Sequence, residues 1–334
     1  MDSNGKIGCF SAAMTIVGAI IGAGFASGQE IWTFFGFAGW ASLLFVLPLF
    51  AFLLGIILLA ISSNAKNTKE LGTICFGKFS IVLEWFFAVC CFCLTASMIA
   101  GMRLLCQNFP ALFLVTFCGI GILLFCGLGG IAKANAFLLP ILILFLVAIC
   151  ILSLCSNHCA MKIITTKKVS SLLWLCPTYA CMNAFCALPI VLPLGKSCTK
   201  KELAATIACF LIAVIFALEL SAIIVFPGKK SELPIVEICK ENGPVFEFIG
   251  TIVLLVATAS TLLSCGFESV NFAEKYIKSR AFCVVLVLFC ASVLSVVGFE
   301  KIVKLIYPAI GIIAFFLFIT LGLATLKRKI TTNS

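Results

Sequence analysis

Ile16-Val-Gly-Ala-Ile-Ile-Gly-Ala-Gly-Phe-Ala-Ser-Gly-Gln-Glu30 lies inside the first long apolar segment of the chain. Gly18, Gly22, Gly24 and Gly28 fall within eleven positions, and the polar pair Gln29 and Glu30 follows at once. Each Gly weakens a helix by roughly 0.8–1.0 kcal/mol relative to Ala, and it permits backbone angles that other residues avoid. A Gly-rich break at membrane depth survives only where its freed N–H and C=O groups face protein or a water-filled cavity. Discontinuous helices of this kind build the midplane sites of many secondary transporters. Close helix packing through Gly18-x-x-x-Gly22 and Gly24-x-x-x-Gly28 is the competing reading. It gives no reason for Gln29 and Glu30 to follow.

The rest of the chain sets this break in a membrane. Its 334 residues are 63% hydrophobic and 11% charged, with mean hydropathy +1.25. That composition excludes a soluble domain and points to a single all-α polytopic transmembrane domain over 1–334. Met1-Asp-Ser-Asn-Gly-Lys6 precedes a segment too long for a signal h-region, and no A-x-A-like site follows, so cleavage is not expected. The net charge of +10 is scattered through short loops. It therefore reads as a topology device, and no nucleic-acid partner is expected.

A spanning helix needs about 20 apolar residues. About ten segments meet that length: 7–35, 39–62, 80–106, 111–128, 135–155, 170–194, 203–226, 245–272, 281–298 and 302–326. With the N-terminus in the cytoplasm, 14 of the 23 Lys and Arg fall inside and 9 outside. The positive-inside rule then places both termini in the cytoplasm, in the cytoplasmic (inner) membrane. Ten segments divide into two sets of five, 1–155 and 169–326. The first segment carries the Gly-rich break, and the sixth carries Pro177, Asn183, Pro189 and Pro193. Interrupted segments in corresponding positions predict an inverted repeat with discontinuous helices 1 and 6. In the longest outward loop, 227–244, Leu233, Ile235, Val236 and Ile238 suit either a short amphipathic helix over the outer mouth or a solvated loop.

Most of the 20 Cys lie within apolar segments, as Cys90, Cys91 and Cys93 do, where Cys behaves as a small apolar residue. Cys155, Cys159 and Cys239 lie in or near outward loops and could pair, which is the lesser reading beside free thiols. No paired C-x-x-C blocks with His appear, so zinc is not expected. The lone His158 reads as a solvated loop residue.

Where a helix unwinds, one half ends in free carbonyls that favour cations, and the next begins with free N–H groups that favour anions. At the first break Gly22, Ala23 and Gly24 supply N–H groups for a carboxylate, with Phe25 beside them. Ile20 and Ile21 supply carbonyls. In the sixth segment Asn183 is a polar amide at membrane depth, expensive without partners. Tyr179 and Phe185 flank it as candidate covers for a substrate. In the eighth, Ser260 and Thr261 lie one turn beyond Ala257, so its carbonyl and two hydroxyls converge on one point, a donor set that suits a hard cation such as Na⁺. The bland alternative is Ser and Thr bonded to their own backbone. Glu30, read as facing an outer vestibule, and Glu219, deep in the seventh segment, are candidate ion-coupling or gating carboxyls. No H-E-x-x-H or Ser/His constellation exists, so an enzyme is not expected.

Val17-Gly-Ala-Ile-Ile-Gly-Ala-Gly-Phe-Ala-Ser-Gly-Gln-Glu30 resembles the YkvI-type family of bacterial membrane proteins, and the ten-segment layout extends the resemblance over essentially the whole chain. Ile21-Gly-Ala-Gly-Phe25 is more distantly similar to the Ile-Gly-Ser-Gly-Ile break of amino acid–polyamine–organocation permeases. That likeness implies the LeuT-like five-plus-five fold. In sodium-coupled members an ion sits between the first and eighth helices. Carried over by motif, its ligands are the carbonyls of Gly18 and Ile21 with Ala257, Ser260 and Thr261. The expectation is a secondary transporter of a small organic solute, an amino acid or related amine, coupled to Na⁺ and needing no cofactor. Proton coupling and a non-transporting membrane sensor or assembly protein are the alternatives. Oligomeric state is not legible.

Overall fold

The computed structural model describes residues 8–126, 128–156, 169–198, 200–226 and 232–333. Its regular elements are helices. The first apolar segment folds as three pieces, α1 (Cys9–Ile20), α2 (Ala23–Ala26) and α3 (Gln29–Phe35). A 3₁₀ stretch over Gly36–Phe45 leads into α4 (Val46–Ser62). Then come α5 (Thr68–Phe76), α6 (Ser80–Leu105), α7 (Pro110–Cys126) and α8 (Leu128–Ser156). The second half holds α9 (Leu172–Ser197), α10 (Lys201–Val225), α11 (Pro234–Glu241), α12 (Pro244–Glu274), α13 (Arg280–Ser295) and α14 (Phe299–Asn333).

Among the described residues, six stretches are long and apolar enough to cross a membrane: Gln29–Ser62, Thr68–Leu105, Val169–Gly195, Lys201–Val225, Pro244–Glu274 and Phe299–Lys327. Four shorter apolar helices accompany them, Cys9–Ile20, Pro110–Phe125, Leu139–Cys155 and Arg280–Ser295. Exposed side chains such as Val285, Phe289 and Val293 on α13 present bare hydrocarbon outward. That surface is stable against lipid and not against water. The protein is a multi-pass membrane protein.

Three local features depart from the sequence expectation. The second apolar segment does not start as an α-helix. Gly39 adopts φ 55°, ψ −138°, and the Ser42 hydroxyl donates to the Phe35 carbonyl at 2.7 Å, which holds the bend. Helix α5 lies between the second and third apolar segments. Its start is a capping box: Glu70 N–H donates to Asn67 Oδ1 at 2.8 Å, and Lys66 N–H donates to the Glu70 carboxylate at 2.8 Å. Most consequential, the expected discontinuity in the sixth segment is absent. Helix α9 runs unbroken through Pro177, Pro189 and Pro193. A proline removes one hydrogen bond, and neighbouring helices and polar side chains make that tolerable in a membrane helix. Thr178 and Ser197 donate back to Trp174 O (2.8 Å) and Pro193 O (3.0 Å). Between Leu172 and Leu194 there is also no Gly to let the chain turn, unlike the first segment.

Around the broken helix, α10 packs on α1, α12 on α6, and α4 and α14 on α9. The α9–α14 contact is backbone-close: a Cβ on Gly311 would overlap the Thr178 carbonyl. One end of the bundle is closed by ions. Arg280 donates to Glu274 at 2.9 Å and to the Leu124 carbonyl at 2.9 Å, with its guanidinium 5.2 Å from the Phe267 ring centroid, and Lys275 pairs with Glu84. At the other end the amphipathic segment is helical. Helix α11 buries Ile235, Val236 and Ile238, and Ile235 N–H donates to the Ser27 carbonyl at 3.2 Å. Cys239 is free and buried against Gly250, and Cys155 is free and exposed. Cys159, His158 and the loop residues Lys162, Lys167, Lys168, Lys229 and Lys230 lie outside the described residues.

Gly311→Ala should lower the melting temperature of the detergent-solubilised protein, with a cost of about 1–3 kcal/mol for overpacking. Gly55→Ala, with open space around its Cβ, is the control. It should be neutral or stabilising, by up to ~1 kcal/mol. Equal melting curves for the two variants would refute the close α9–α14 contact.

Candidate functional site at the helix break

Helix α1 ends where Ile21 N–H closes on Val17 O at 2.8 Å and Gly22 N–H turns back to Ile20 O at 2.9 Å. Gly22 itself is extended (φ −89°, ψ −175°), and α2 restarts with Ala26 N–H donating to its carbonyl at 2.9 Å. Among the described residues no backbone N–H takes up the carbonyls of Gly18 or Ile21. The break thus leaves oxygen acceptors pointing off one helix end, as the glycines imply. A second interruption follows at once. Gly28 sits in the left-handed region (φ 77°), and α3 begins with Gln29.

Helix α12 supplies a partner for the break. Ala23 N–H donates to Thr261 Oγ1 at 3.3 Å, and Thr261 Oγ1 donates to the Ala257 carbonyl at 3.1 Å. The close approach needs Gly22, whose missing Cβ would stand 3.3 Å from Thr261 Oγ1. Thr261 therefore bonds its own backbone and also reaches the break. Ser260 lies beside it, half-buried. Gly18 faces Leu139 of α8, so that neighbour restricts its Cβ side.

The carboxyls are placed differently from the sequence expectation. Glu30 does not face an outer vestibule: it is 6% exposed. The left-handed turn at Gly28 folds α3 back so that a Cβ on Gly24 would overlap the Glu30 carboxyl. The space above Gly24 that a substrate carboxylate would take is filled by the protein's own carboxyl. Glu219 of α10 is fully buried, and neither of its oxygens has a hydrogen-bond partner. Glu30 lies within its electrostatic reach. Tyr179 of α9 packs on Phe216 of α10, one turn before Glu219, with ring centroids 5.9 Å apart. Glu30 and Asn183 approach the Tyr179 hydroxyl, but neither contact closes with full hydrogen-bond geometry.

The Tyr179 ring belongs to an aromatic cluster. Its centroid is 5.0 Å from Phe34, 5.4 Å from Phe35 and 5.9 Å from Phe216, and Phe216 lies 6.1 Å from Phe25. Asn183 donates to the Tyr179 carbonyl at 3.0 Å, the local bond expected of a buried amide. Phe185 packs on Phe86 and Phe87, with centroids 5.2 and 5.4 Å apart, and does not join the Tyr179 cluster. Two neighbours escaped the sequence reading. Phe216 lies one turn before Glu219, and Tyr307 of α14 is buried within electrostatic reach of Glu30. A tyrosine deep in the last apolar segment was the available signal for the latter.

No protein-family model matches the chain. It is 27% identical over 339 aligned positions to an uncharacterized Bacillus subtilis protein, YyaD, and the alignment covers 95% of this chain and 96% of that protein. The inward-facing conformation of Mhp1 superposes with TM-score 0.53 at 15% identity, covering 93% of this chain and 74% of Mhp1. A closed conformation of Mhp1, a nucleobase-cation-symport-1 family transporter with bromovinylhydantoin bound, gives TM-score 0.53 at 16% identity, covering 96% and 75%. The chain resembles Mhp1 in fold. At that identity the likeness speaks for the LeuT-like architecture of Mhp1 and for nothing finer.

Thr261→Val keeps the shape and removes the acceptor for Ala23 N–H. It should cost about 1–3 kcal/mol through the unsatisfied buried donor, whereas Thr261→Ser should restore most of the loss. Melting curves of the two variants in the same detergent test this. A valine variant as stable as the native chain would deny the bridge.

Proposed function

We propose that this protein is a secondary active transporter that moves a small organic solute by alternating access around the α1–α2 break. The observation that carries the reading is the Thr261 bridge. A hydroxyl of α12 ties down a broken helix beside the unused carbonyls of Gly18 and Ile21. Those carbonyls, the Ala257 carbonyl and the hydroxyls of Ser260 and Thr261 form an all-oxygen set suited to a hard cation, so the coupling ion proposed is Na⁺. The likeness to Mhp1 supports the same class and agrees with a protein that is not an enzyme.

On this reading the ten apolar segments cross the membrane as two inverted sets of five, and α9 is the counterpart of the α1–α3 unit. The packing agrees with that exchange: α1 lies on α10 as α9 lies on α4, and α6 lies on α12, its own counterpart. The protein would lie in the bacterial inner membrane with both termini cytoplasmic, an orientation that the bias of Lys and Arg toward the inner loops supports. Its substrate would be an amino acid or a related amine. Proton coupling is the second reading, and the buried, unpartnered Glu219 carboxyl favours it.

Melting scans in Na⁺ against choline, with and without an amino acid and amine panel, test the proposal. A bound solute at about 100 Kd should stabilise by roughly 2.7 kcal/mol. The Na⁺ dependence should vanish in a Ser260→Ala/Thr261→Ala variant. Solute stabilisation indifferent to Na⁺ would transfer coupling to protons. Proteoliposomes that show no gradient-driven uptake of any stabilising solute would overturn the transporter reading.

A further inference from the structure

We propose that the site takes a small organic cation without a carboxylate, an alkyl- or arylalkylamine or a guanidine, whose charge is held between the Glu30 and Glu219 carboxyls and against Tyr179. The inference rests on the transporter reading and narrows its substrate class.

The charge inventory of the core comes first. Among the described residues, Glu30 and Glu219 are the buried acids, and no Lys or Arg is buried with them. The ion pairs that exist, such as Arg280–Glu274 and Lys240–Glu237, lie at the ends of helices and in α11. A carboxylate inside a membrane protein needs a cation, a proton or several donors. Among the described residues Glu219 has neither a cation nor a hydrogen-bond donor: both of its oxygens are buried and without partners. A substrate carboxylate brought here would meet two acids and no built-in cation among the described residues.

The geometry of the break makes the same selection. The place where a zwitterion would set its carboxylate, the open side of Gly24, holds the Glu30 carboxyl. The first turn of α2 is therefore covered from within, and four residues of helix offer little dipole to an outside anion. What remains open to a ligand is acceptor chemistry. The Glu30 carboxyl lies over Gly24, and Glu219 is one turn beyond Phe216, whose ring is 5.9 Å from that of Tyr179, so the two acids and the tyrosine border one aromatic cluster. An ammonium carries three donors and no acceptor, which matches three acceptors.

The surrounding rings suit the body of such a ligand. Tyr179 and Phe216 are 5.9 Å apart by centroid, and Phe34 and Phe35 close the cluster on Tyr179. A desolvated cation gains from aromatic faces as well as from carboxylates. A neutral heterocycle would use the rings and leave Glu219 unpartnered.

Matched pairs test this: phenethylamine against phenylalanine, tyramine against tyrosine and isobutylamine against valine, with hydantoin and uracil as neutral members. The full-length protein in proteoliposomes is assayed for uptake, and in detergent for stabilisation. At least one amine should be taken up, with an affinity ten-fold or more above that of its parent amino acid. Glu30→Gln and Glu219→Gln should each weaken that amine ten-fold or more. Tyr179→Phe, which keeps the ring and leaves both acids in place, should weaken it several-fold; this variant carries the test if either glutamine variant fails to fold. Uptake of the parent amino acids or of the neutral members in preference to amines overturns this proposal and leaves the transporter reading standing. Amine uptake equal in native protein and all three variants overturns the assigned site. A panel in which nothing is taken up overturns both.

Discussion

A helix interrupted inside a bilayer must place every polar group it frees, because lipid offers no replacement hydrogen bond. Here the decisive contact is Ala23 N–H to Thr261 Oγ1, 3.3 Å long and 238 residues apart in sequence. It requires a small residue at position 22, since a larger one would press on the hydroxyl. It also requires that α12 lie directly over the break, and α12 is in turn packed along α6. The position of the second half relative to the first thus follows in part from one orphan donor. Proline-rich α9 shows the contrasting solution. It stays one rod, packed against α4 and α14, and its Thr178, Asn183 and Ser197 side chains bond locally to its own backbone.

Glycine serves three distinct purposes within this one stretch. Gly22 makes room for a hydroxyl from another helix, Gly24 makes room for Glu30, and Gly28 provides the left-handed turn that aims Glu30 backwards. Helix α11 completes the arrangement from outside, since its Ile235 N–H satisfies the Ser27 carbonyl exposed by that turn. Glu30, Tyr179 and Glu219 are closed from solvent in this conformation, whereas Gly18 is exposed and Gly22, Ser260 and Thr261 are half-buried. Access to the carboxyls therefore requires a rearrangement of the packed helices.

The apolar runs were readable because their length and the scarcity of charge leave few alternatives. The first break was readable because four glycines in eleven residues have no place in a plain spanning helix. The cap that starts α5 is written in Asn67-Thr-Lys-Glu70, but no apolar run of spanning length follows it, so segment length does not single out a helix there. The continuity of α9 was hidden for a different reason. A proline in isolation weakens a helix, and only the packing of α4 and α14 against it decides whether it breaks. Glu30 illustrates the limit most sharply. Its identity and depth were plain, but its direction depends on the sign of φ at Gly28, two residues away, which glycine leaves open in either sense.

That direction alters the electrostatic logic of the site. If Glu30 looked outward, the break would offer a zwitterion both of its poles. Turned inward, it leaves two buried acids and no built-in counter-charge among the described residues. Closing such a site while empty and ionised is unfavourable, because two like charges would be desolvated together. On the proposed reading, one Na⁺ beside Thr261 and one ammonium between the carboxyls bring two positive charges to two negative ones. Among the states in which both carboxyls are ionised, only the fully loaded site is then neutral, so closure of the ionised carrier favours the loaded form over the half-loaded one. Strict coupling would follow from charge balance in a dry cavity, with no separate gate needed to sense whether both passengers are aboard.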